Sequence, residues 1–574
     1  MAERRRAGRR GSARAIAAAL AALLSLAASS RPASASIALD LGYVDTGSAA
    51  YARFRDWVDA AVAGRPGYGF SPADAVMAYR ISGKKHYCEF AVGEIDRQVA
   101  AAEAAIAAGE RPAVAGDSYL EAGPMIGALA LGYQVCAAFT DEAQRARWRA
   151  YAERTLANIW DPPAARWGDR AYPWSGWGTD NPGNNYYYSF LEATMSWALA
   201  ADDAAWLARL RERLLPALTA YVAALPGGGS REGTGYGTAQ MRLFALYRLW
   251  RDSTGEDLAA ANGHLDDTIR FWVHATVPDF TQFAPLGDQA RVSKPEIYDY
   301  QRRLMLEARA LTHDAAVRDL ATWWLSKIPL RRMTHGFNAR YDLLPAGDGG
   351  HAPAERDYVA TGTGRLFART GWDSGATWLA FTAGPYSESH AHQDQGSFML
   401  YRGGWLAVTE NIWTRSGIQQ GTDVHNVLRF ERDGAVLPQR EGTTSTMTVD
   451  RLDGALSIKA DLSPAYGDGS AVRSWTRELR FAADGRLQVV DRYAVAPGTR
   501  AVFQLDVPQK PVFDGREARA GQLRLRVLAP ESARLSAHDW QSTDAGEFRS
   551  GWRIDVEGSE AESGEFRVEI GTGR

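Results

Sequence analysis

Residues 387–426 read SESHAHQDQGSFMLYRGGWLAVTENIWTRSGIQQGTDVHN, and this stretch decides how the rest of the chain is interpreted. Its middle part has the apolar and aromatic character of two strands, Gly396–Tyr401 and Trp405–Thr409. Residues 402–404, Arg-Gly-Gly, lie between them and are typical of a turn. The stretch therefore predicts a pair of strands that belongs to a β-sheet.

A polar pattern comes just before the first of these strands. His390, His392 and Asp394 alternate by two, so an extended backbone would point all three side chains to one face. With His425, the stretch holds three of the ten histidines of the chain. Such a concentration at the start of a strand favours a functional site over a core.

Around this stretch the chain divides into two halves of different character. From about residue 37 to residue 330, helix-forming runs alternate with short polar breaks, which is typical of antiparallel helical hairpins. Beyond them, short β-like runs are separated by Gly, Asp, Pro and Ser turns. The predicted fold class is a multidomain α+β protein, with an N-terminal α/α toroid, complete or incomplete, followed by a C-terminal antiparallel β-sandwich. The predicted segments are a signal peptide (1–35), a helical domain (36–345) and a β-sheet domain (346–574).

The composition excludes some classes of partner. The 574 residues carry a net charge of −3, so no global basic field exists that would hold nucleic acid or an anionic membrane. Positive groups that meet an acidic ligand must therefore be local. The 19 tryptophans and 23 tyrosines suit stacking on sugar faces, and they suit large cores equally well.

The first 35 residues have the pattern of a secretory signal peptide. Six arginines precede a short alanine-rich apolar run over residues 15–28, and Ala33-Ser34-Ala35 resembles a cleavage site. The apolar run is too short for a membrane span, so we expect a secreted or periplasmic protein. Export would permit a disulfide between Cys88 and Cys136, the only two cysteines, and two separate buried thiols are the alternative.

Two irregular segments, residues 167–188 and residues 227–238, interrupt the helical half. Both are rich in polar and aromatic groups, and each precedes a helical run, so both should lie at one end of the helical domain. Loops at one end of a scaffold are where clefts are usually built. Trp167, Trp174 and Trp177 in the first segment are either sugar-stacking rings or core residues.

Several short motifs together resemble those of the heparinase II/III-type polysaccharide lyases. They are H-x-H-x-D-x-G-S-F over residues 390–398, the later His425-Asn426, the loop REGTGYG over residues 231–237, and the pair Asn184-Asn185. The resemblance covers nearly the whole mature chain in architecture and is sharp only at these motifs. It implies a helical toroid followed by a β-sheet domain, with the cleft between them.

The resemblance implies β-elimination at a uronic acid of a polysaccharide, without an organic cofactor. A base removes the proton at C5, beside the carboxylate, and the O4 glycosidic bond breaks to leave an unsaturated sugar. The site must neutralise the carboxylate, remove the proton and protonate the leaving oxygen. Carried over by motif, Asn185 meets the carboxylate, while Tyr236 and His390 serve the proton transfers. Which of these two is the base stays open.

The motifs and their neighbours also nominate residues for substrate binding. The family often carries a histidine where this chain has Tyr186, and this departure favours a tyrosine-based scheme. Nearby arginines are candidates for meeting acidic groups of the substrate. The predicted substrate-binding residues are Asn184, Tyr186, Trp177, Arg231, Glu232 and Arg415.

His392 and His425 match positions that bind a metal in several family members. Glu410, where relatives more often carry aspartate, completes a set of two imidazoles and one carboxylate that suits a structural Zn²⁺ or another divalent metal. Asp394 is a second candidate for the carboxylate ligand or for the partner of a histidine. In the metal-free alternative, the two histidines are hydrogen-bonded core residues.

Two other functions fit parts of the pattern. A glycoside hydrolase on an α/α toroid would need two opposed carboxylates, for which Glu232, Asp180 and Asp288 are candidates. A non-catalytic glycan-binding protein on a degenerate lyase scaffold would not need the tyrosine and histidine of the motifs. The expected partner is an acidic polysaccharide, with neither nucleic acid nor a membrane span. The kind of uronate polymer, endo or exo action and the oligomeric state stay open.

Overall fold

The computed structural model describes residues 35–289, 295–558 and 561–573. The predicted signal peptide lies outside the described residues, except for Ala35. None of the helices in the described part is both long enough and apolar enough to cross a membrane.

The N-terminal half is helical. Its helices are α1 (Ala49–Val62), α2 (Pro72–Ser82), α3 (Lys85–Ala107), α4 (Ala122–Val135), α5 (Glu142–Trp160), α6 (Asn185–Ala200), α7 (Ala204–Arg209), α8 (Leu215–Ala223), α9 (Gln240–Thr254), α10 (His264–Ala275), α11 (Asp299–Leu311) and α12 (Ala315–Lys327). A π turn at Leu210–Leu214 joins α7 to α8. A short hairpin, β1 (Arg166–Trp167) with β2 (Arg170–Ala171), lies between α5 and α6.

Helix α6 begins earlier than its sequence pattern suggests. The apolar periodicity predicts a start at Ser189, but the helix begins at Asn185. The reason is the side chain of Asn184, whose Oδ1 accepts a hydrogen bond from Tyr186 N at 3.0 Å and thereby caps the helix. This cap adds one helical turn and places Asn185 at the tip of α6.

Cys88 on α3 and Cys136 at the end of α4 are joined by a disulfide, with 5.5 Å between their Cα atoms. Both residues are fully buried. The bond thus lies inside the helical core and links two neighbouring helices of it.

Replacing Cys88 and Cys136 together with alanine should lower the free energy of unfolding of the helical half. The disulfide links residues 48 positions apart. Closing a loop of that length in the unfolded chain is worth roughly 4 kcal/mol. Denaturant titration of the native protein and the double variant, followed by circular dichroism at a helical band, measures the difference. Coincident curves would contradict this role of the disulfide.

The C-terminal half is built from antiparallel strands and one short helix, α13 (Trp540–Thr543). The strands are β3 (Asp357–Ala360), β4 (Arg365–Arg369), β5 (Trp378–Thr382), β6 (Pro385–Tyr386), β7 (Phe398–Tyr401), β8 (Trp405–Ala407), β9 (Leu428–Arg432), β10 (Ala435–Val436), β11 (Thr443–Thr444), β12 (Thr446–Leu452), β13 (Ala455–Asp461), β14 (Val472–Phe481), β15 (Leu487–Val495), β16 (Thr499–Val507), β17 (Val512–Asp514), β18 (Glu517–Ala520), β19 (Leu523–Ala529), β20 (Arg534–Asp539), β21 (Trp552–Glu557) and β22 (Ser563–Thr572).

These strands form three larger sheets and one small one. The strand orders are β3-β4-β5-β7-β8, β12-β13-β14-β15-β22-β19-β18-β17, β10-β9-β16-β21-β20 and β6-β11. The predicted hairpin is confirmed as β7 and β8, which lie at one edge of the first sheet. The loop that holds His390 and His392 leads directly into β7.

The first sheet connects the two halves of the molecule. Because side chains alternate along a strand, Phe367 and Trp378 face the helical core, whereas Leu366 and Leu379 face the core of the other sheets. The sheet is therefore buried on both faces. The predicted fold class, a helical region followed by antiparallel β-sheets, is confirmed.

Candidate active site

Three segments from distant parts of the chain pack together where the two halves meet. They are residues 230–237, 284–289 and 388–396. The amide of Thr234 donates to Leu286 O at 2.8 Å, and the amide of Asp288 donates to His390 O at 2.9 Å. Backbone hydrogen bonds thus hold the REGTGYG loop, the middle segment and the histidine loop in one stack.

Glycine is required for this close approach. A Cβ on Gly235 would lie 2.0 Å from Asp288 O. Gly287 has a φ of +68°, and a Cβ there would lie 2.7 Å from His390 O. Any side chain at either position would push the segments apart, so these glycines set the spacing of the site.

Tyr236 and His390 are in direct contact. Tyr236 opens a 3-10 turn, Tyr236–Ala239, that leads into α9. Its ring stacks on that of His390, with 3.6 Å between the ring centroids and 11° between the planes. One ring comes from the helical half and the other from the loop ahead of β7. The structure therefore brings together the two residues predicted to serve the proton transfers.

The carboxylate of Asp288 holds both histidines of the motif. Its Oδ2 lies 2.9 Å from His390 Nδ1, and its Oδ1 lies 2.9 Å from His392 Nε2. Gln420 Nε2 donates to the same two oxygens at 3.1 and 3.2 Å. Burial disfavours the charged form of Asp288, but the hydrogen bonds from His390 and His392 outweigh it and lower the pKa of this carboxyl. With His390 Nδ1 held by Asp288, Nε2 is the ring atom left for a ligand.

The expected polar face of His390, His392 and Asp394 is only partly formed. The three residues precede β7, which begins at Phe398, so they do not lie on a strand. The two imidazoles converge on Asp288 all the same. Asp394 instead pairs with Arg365 Nη1 at 2.9 Å. The prediction of one shared face is therefore wrong for Asp394.

Two of the three predicted metal ligands, His392 and His425, meet, but the three do not form a group that could hold a metal ion in the described part of the chain. His392 uses both ring nitrogens, Nε2 toward Asp288 and Nδ1 toward His425 Nε2 at 3.1 Å. Nδ1 of His425 is buried and has no hydrogen-bond partner. Within residues 35–289, 295–558 and 561–573, no group of three or more His, Cys, Asp or Glu side chains is arranged to hold a metal ion. The residues as arranged do not fit the predicted zinc site, and no chemical step is derived through a metal.

Glu410 is fully buried but is directed elsewhere. Neither of its carboxylate oxygens has a hydrogen-bond partner, and a Cβ on Gly551 would lie 2.2 Å from both of them. Burial raises the pKa of Glu410 to about 11, and the nearby charge of Asp506 adds to the rise. The carboxyl group thus faces the ends of β16 and β21. Among the described residues it does not complete a group of three with His392 and His425, so its assignment as a ligand stays a prediction.

Asn185 is partly buried and Glu232 is fully buried, and the backbone of Asn185 hydrogen-bonds to the Glu232 carboxyl. Among the described residues, Asn185 Oδ1 and Glu232 Oε1 have no hydrogen-bond partner. Burial raises the pKa of Glu232 to about 8, and the charge of Glu388 adds to this, while a hydrogen bond from the backbone of Asn185 opposes it. Glu232 is therefore mostly a neutral acid at pH 7, next to the amide predicted to meet the substrate carboxylate.

Replacing Glu232 with glutamine should make the protein relatively more stable as the pH rises. The carboxyl has a pKa of about 8 in the folded protein and an ordinary value of 4.5. Between these values the folded chain retains a proton that the unfolded chain releases, so the free energy of unfolding falls with rising pH. Glutamine does not titrate and so removes this pH dependence. Between pH 4 and pH 7, the free energy of unfolding of the variant should therefore rise by roughly 3 kcal/mol relative to that of the native protein. Denaturant unfolding at both pH values measures the gain, and a pH-independent difference would contradict it.

Three further predicted substrate residues are engaged by the protein itself. Tyr186 OH donates to Asp117 Oδ1 at 2.9 Å. Arg231 Nε donates to Gly362 O at 3.2 Å, across the junction of the two halves. Asn184 uses its Oδ1 to cap α6 and has only its amide nitrogen left for a ligand.

Trp177 and Arg415 lie at the outside of the site. Trp177 is 48% exposed and, with Asn181 and Asn184, lines a surface pocket of about 450 Å³. Arg415 is exposed, and its amide donates to Glu547 O at 2.8 Å. The structure thus leaves both side chains accessible to a large ligand.

Sequence reasoning missed three polar residues of the site. Asp288 was considered only as a hydrolase acid, although it is the group that positions both histidines. Gln420 supports Asp288, and Glu388 Oε2 accepts from Asn181 Nδ2 at 3.1 Å. Asp288 lies in an irregular segment without helix or strand periodicity, so the one signal for it is the glycine that precedes it.

Comparison with known protein families agrees with this geometry. Residues 360–570 match the family described as heparinase II/III-like, C-terminal. This part of the chain is therefore similar to the C-terminal domain of heparinase II/III-like proteins. Curated protein sequences gave no significant match.

Solved structures of heparinases share the fold of nearly the whole chain. A heparinase III structure aligns with a TM-score of 0.59 and 12% identity, over 93% of this chain and 79% of that chain. A heparan sulfate lyase HepC mutant from Pedobacter heparinus aligns with a TM-score of 0.57 and 15% identity, over 98% and 90%. A heparinase III gene product aligns with a TM-score of 0.57 and 14% identity, over 96% and 88%. At these identities, the likeness establishes the fold.

The heparinase II/III-like domain supplies one part of the candidate site. It contains His390 and His392, whereas Asn185, Tyr236 and Asp288 precede the matched residues. Their contacts cross from the helical half to the β-sheet half. The site is therefore a joint product of both halves.

Proposed function

We propose that the chain is an exported polysaccharide lyase that cleaves a uronic-acid-containing polysaccharide by β-elimination. The observation that carries the proposal is the stack of Tyr236 on His390, with Asp288 behind it. A phenol and an imidazole side by side are the two groups that a paired proton removal and proton delivery need. The heparinase fold and the signal-like N-terminal sequence support the same proposal.

The reaction leaves the two fragments of the polysaccharide without adding water. The base takes the proton from C5, the electron pair of that C–H bond forms the C4–C5 double bond, and the bond from C4 to O4 breaks. The O4 oxygen then receives a proton from the acid. The proton at C5 becomes acidic enough only when the charge of the neighbouring carboxylate is neutralised.

The residues of the site match these tasks. Among the described residues, Asn185 Oδ1 has no hydrogen-bond partner, and the Nδ2 of the same amide would donate to the substrate carboxylate. Glu232 beside it is held mostly neutral and so adds little repulsion against that carboxylate. Tyr236 and His390 divide the proton removal at C5 and the proton delivery at O4 between them. Asp288 acts through His390 by holding Nδ1 and leaving Nε2 for the substrate.

A panel of acidic polysaccharides tests the function. Alginate, hyaluronan, chondroitin-type and heparan-type chains are incubated with the protein, and the ultraviolet absorbance of the conjugated double bond is followed. At least one polymer should give an absorbance increase that grows with enzyme concentration. The absence of absorbing product from every uronate polymer would contradict the proposal.

A glycoside hydrolase is the second candidate, and one observation favours it. Glu232 has a pKa of about 8, as a general acid would, and the charge of Glu388 lies close enough to raise it. Asp288, the other nominated carboxylate, is already held by two histidines. New reducing ends without absorbing product would favour hydrolysis over elimination.

A further inference from the structure

A second pocket opens at the N-terminal ends of helices α2, α4, α9 and α11. It has a volume of about 250 Å³, and none of the catalytic residues proposed above lines it. Each helix contributes a residue from its cap or first two turns. These residues are Ser71, Pro124, Arg242 and Arg303.

The helix ends add partial positive charge to this pocket, although α2 and α11 each carry a capping box and an acidic residue in the first turn. The four helices have 11, 14, 15 and 13 residues, long enough for each to develop a dipole. A helix N-terminus carries a partial positive charge and unsatisfied N–H groups, which favour an anion. Convergence of four such ends is not a site by itself, but a buried arginine in the same pocket points to a ligand.

Arg303 is that arginine. It is 8% exposed, and its guanidinium carbon lies 3.3 Å from the centre of the Tyr341 ring. Within the described part of the chain, no hydrogen bond or ion pair reaches its guanidinium, and its Nε is buried without a partner. Burial lowers the pKa of Arg303, and the charges of Tyr341, Glu307 and Glu192 offset only part of this effect. A guanidinium stays charged at any ordinary pH, so it needs an anion.

The other charges of the pocket already have partners or face solvent. Arg340 Nη1 lies 3.0 Å from Asp74, and Arg242 lies 4.0 Å from Glu192. Glu121, a further lining carboxyl, is exposed to solvent. Among the described arginines that line the pocket, Arg303 is therefore the one without a direct ion pair to a carboxylate.

An aromatic rim lies beside this arginine. Tyr68 is 91% exposed, its ring lies 6.3 Å from that of Phe337, and Tyr300 lies 5.7 Å from Phe337. Gly69 has a φ of +76°, and a Cβ there would lie 3.0 Å from Phe337, so glycine is needed to display Tyr68 in this way. Flat aromatic faces with a polar tip suit the faces of sugar rings.

The pocket lies on the same helices as the candidate active site. Asn185 is the first residue of α6, and Glu192 lines the pocket seven residues later, about 10 Å along the helix axis. Tyr236 opens the 3-10 turn that leads into α9, and Arg242 is the third residue of that helix. A polysaccharide bound at Tyr236 would thus have further sugar units within reach of Arg303.

We propose that this pocket binds a carboxylate or sulfate of a sugar unit remote from the bond that is cleaved, with Arg303 as its cation and Tyr68 at its sugar-stacking rim. The proposal rests on the proposed function in making the ligand an acidic polysaccharide. It adds a second recognition point, so the protein should prefer chains long enough to span both places.

Two variants test the pocket. Arg303→Met keeps an unbranched apolar stem against Tyr341 and removes the charge, and Tyr68→Ala removes an exposed ring that the core does not need. Titration calorimetry measures the binding of sulfated and non-sulfated uronate hexasaccharides to each variant and to the native protein. Arg303→Met should weaken binding about 10- to 100-fold, the usual effect of losing a charge-assisted hydrogen bond. A stronger loss for the sulfated sugars would identify sulfate as the group bound, and equal losses would identify carboxylate.

Arg309→Met is the matched control. Arg309 lies on the same helix but does not line the pocket, and it donates to Thr322 and Pro345 O instead. It should bind the hexasaccharides as the native protein does. Native-like binding by both Arg303→Met and Tyr68→Ala would overturn the proposal.

A melting-temperature measurement needs no catalysis, so it tests the pocket separately from the proposed lyase function. Sodium sulfate at constant ionic strength should raise the melting temperature of the native protein and of Arg309→Met more than that of Arg303→Met, which retains only the general stabilisation by sulfate. A protein that cleaves no uronate polymer yet shows this Arg303-dependent rise would contradict the lyase function and support the pocket. Cleavage with kinetics unchanged by Arg303→Met on long and short chains would contradict the pocket alone.

Discussion

Replacing Tyr236 with phenylalanine should lower the rate of elimination by about 10²- to 10⁴-fold, the range expected for loss of a general acid or base. Phenylalanine retains the ring that stacks on His390 at 3.6 Å, so the packing of the site stays as it is. Only the hydroxyl that carries the proton is lost. The measurement is the initial rate of double-bond formation at saturating substrate, together with the affinity for the same substrate, which should stay within a few-fold of native.

Tyr186→Phe is the control for removal of a hydroxyl. Tyr186 lies one residue after Asn185, and its hydroxyl donates to Asp117 rather than contacting the stacked rings. Removal of the Tyr186 hydroxyl should change the elimination rate much less than removal of the Tyr236 hydroxyl. If Tyr236→Phe retained most of its rate, the acid and base would have to be sought elsewhere, first at His390.

The second large effect is expected for Asp288→Asn. Asp288 accepts from His390 Nδ1 and His392 Nε2 at 2.9 Å each, so an amide would offer a donor to one ring where the carboxylate offers only acceptors. The ring that meets this donor must change its tautomer. In a serine-protease triad, a wrong imidazole tautomer costs about 10⁴-fold, and we expect a loss of about 10²-fold or more here.

The loss of activity in Asp288→Asn should appear in kcat more than in KM, because Asp288 positions His390 and does not itself bind the sugar. Asp394→Asn is the control, since Asp394 is also buried but pairs with Arg365. Its variant should lose stability without a comparable loss of kcat in the molecules that remain folded. Equal losses of kcat in the two variants, with equal losses of melting temperature, would mean that Asp288 has only a structural role.

Much of the fold follows from local patterns in the sequence. The break at Thr140-Asp141 between two helical runs predicts Asp141 as a helix cap, and its Oδ1 accepts from Gln144 N at 2.8 Å. The helical run that begins at Gln240 in the sequence also begins there in the structure. The predicted strand Trp405–Thr409 ends at Ala407 instead, because Thr409 turns to cap the 3-10 turn that follows. Local propensity therefore predicts which helices and strands form, while capping side chains decide the residues at which they begin and end.

The site was predictable only as far as its motifs reach. Tyr236 and His390 belong to recognisable motifs, and their contact follows once the two halves are packed together. Asp288 belongs to neither motif, and it meets His390 only because two distant segments stack through Gly235 and Gly287. No spacing along the chain encodes such a contact.

The prediction of a metal site was limited in a different way, by the directions of the side chains. The histidines and Glu410 have residue types suited to zinc, but type does not fix direction. A tight turn after β8 sends the Glu410 carboxyl toward Gly551, and Asp288 takes a nitrogen of His392. Metal analysis of the purified protein, before and after a chelator, tests the zinc prediction. The arrangement described leads us to expect no tightly bound zinc and no loss of activity on chelation.

The central claim is that this site breaks the polysaccharide by elimination. One measurement addresses it most directly: new reducing ends and new conjugated double bonds are counted in the same reaction mixture with a uronate polymer that the protein degrades. Elimination creates both at every cleavage, so the account predicts equal numbers throughout the reaction. Reducing ends that accumulate without the double bond would contradict it.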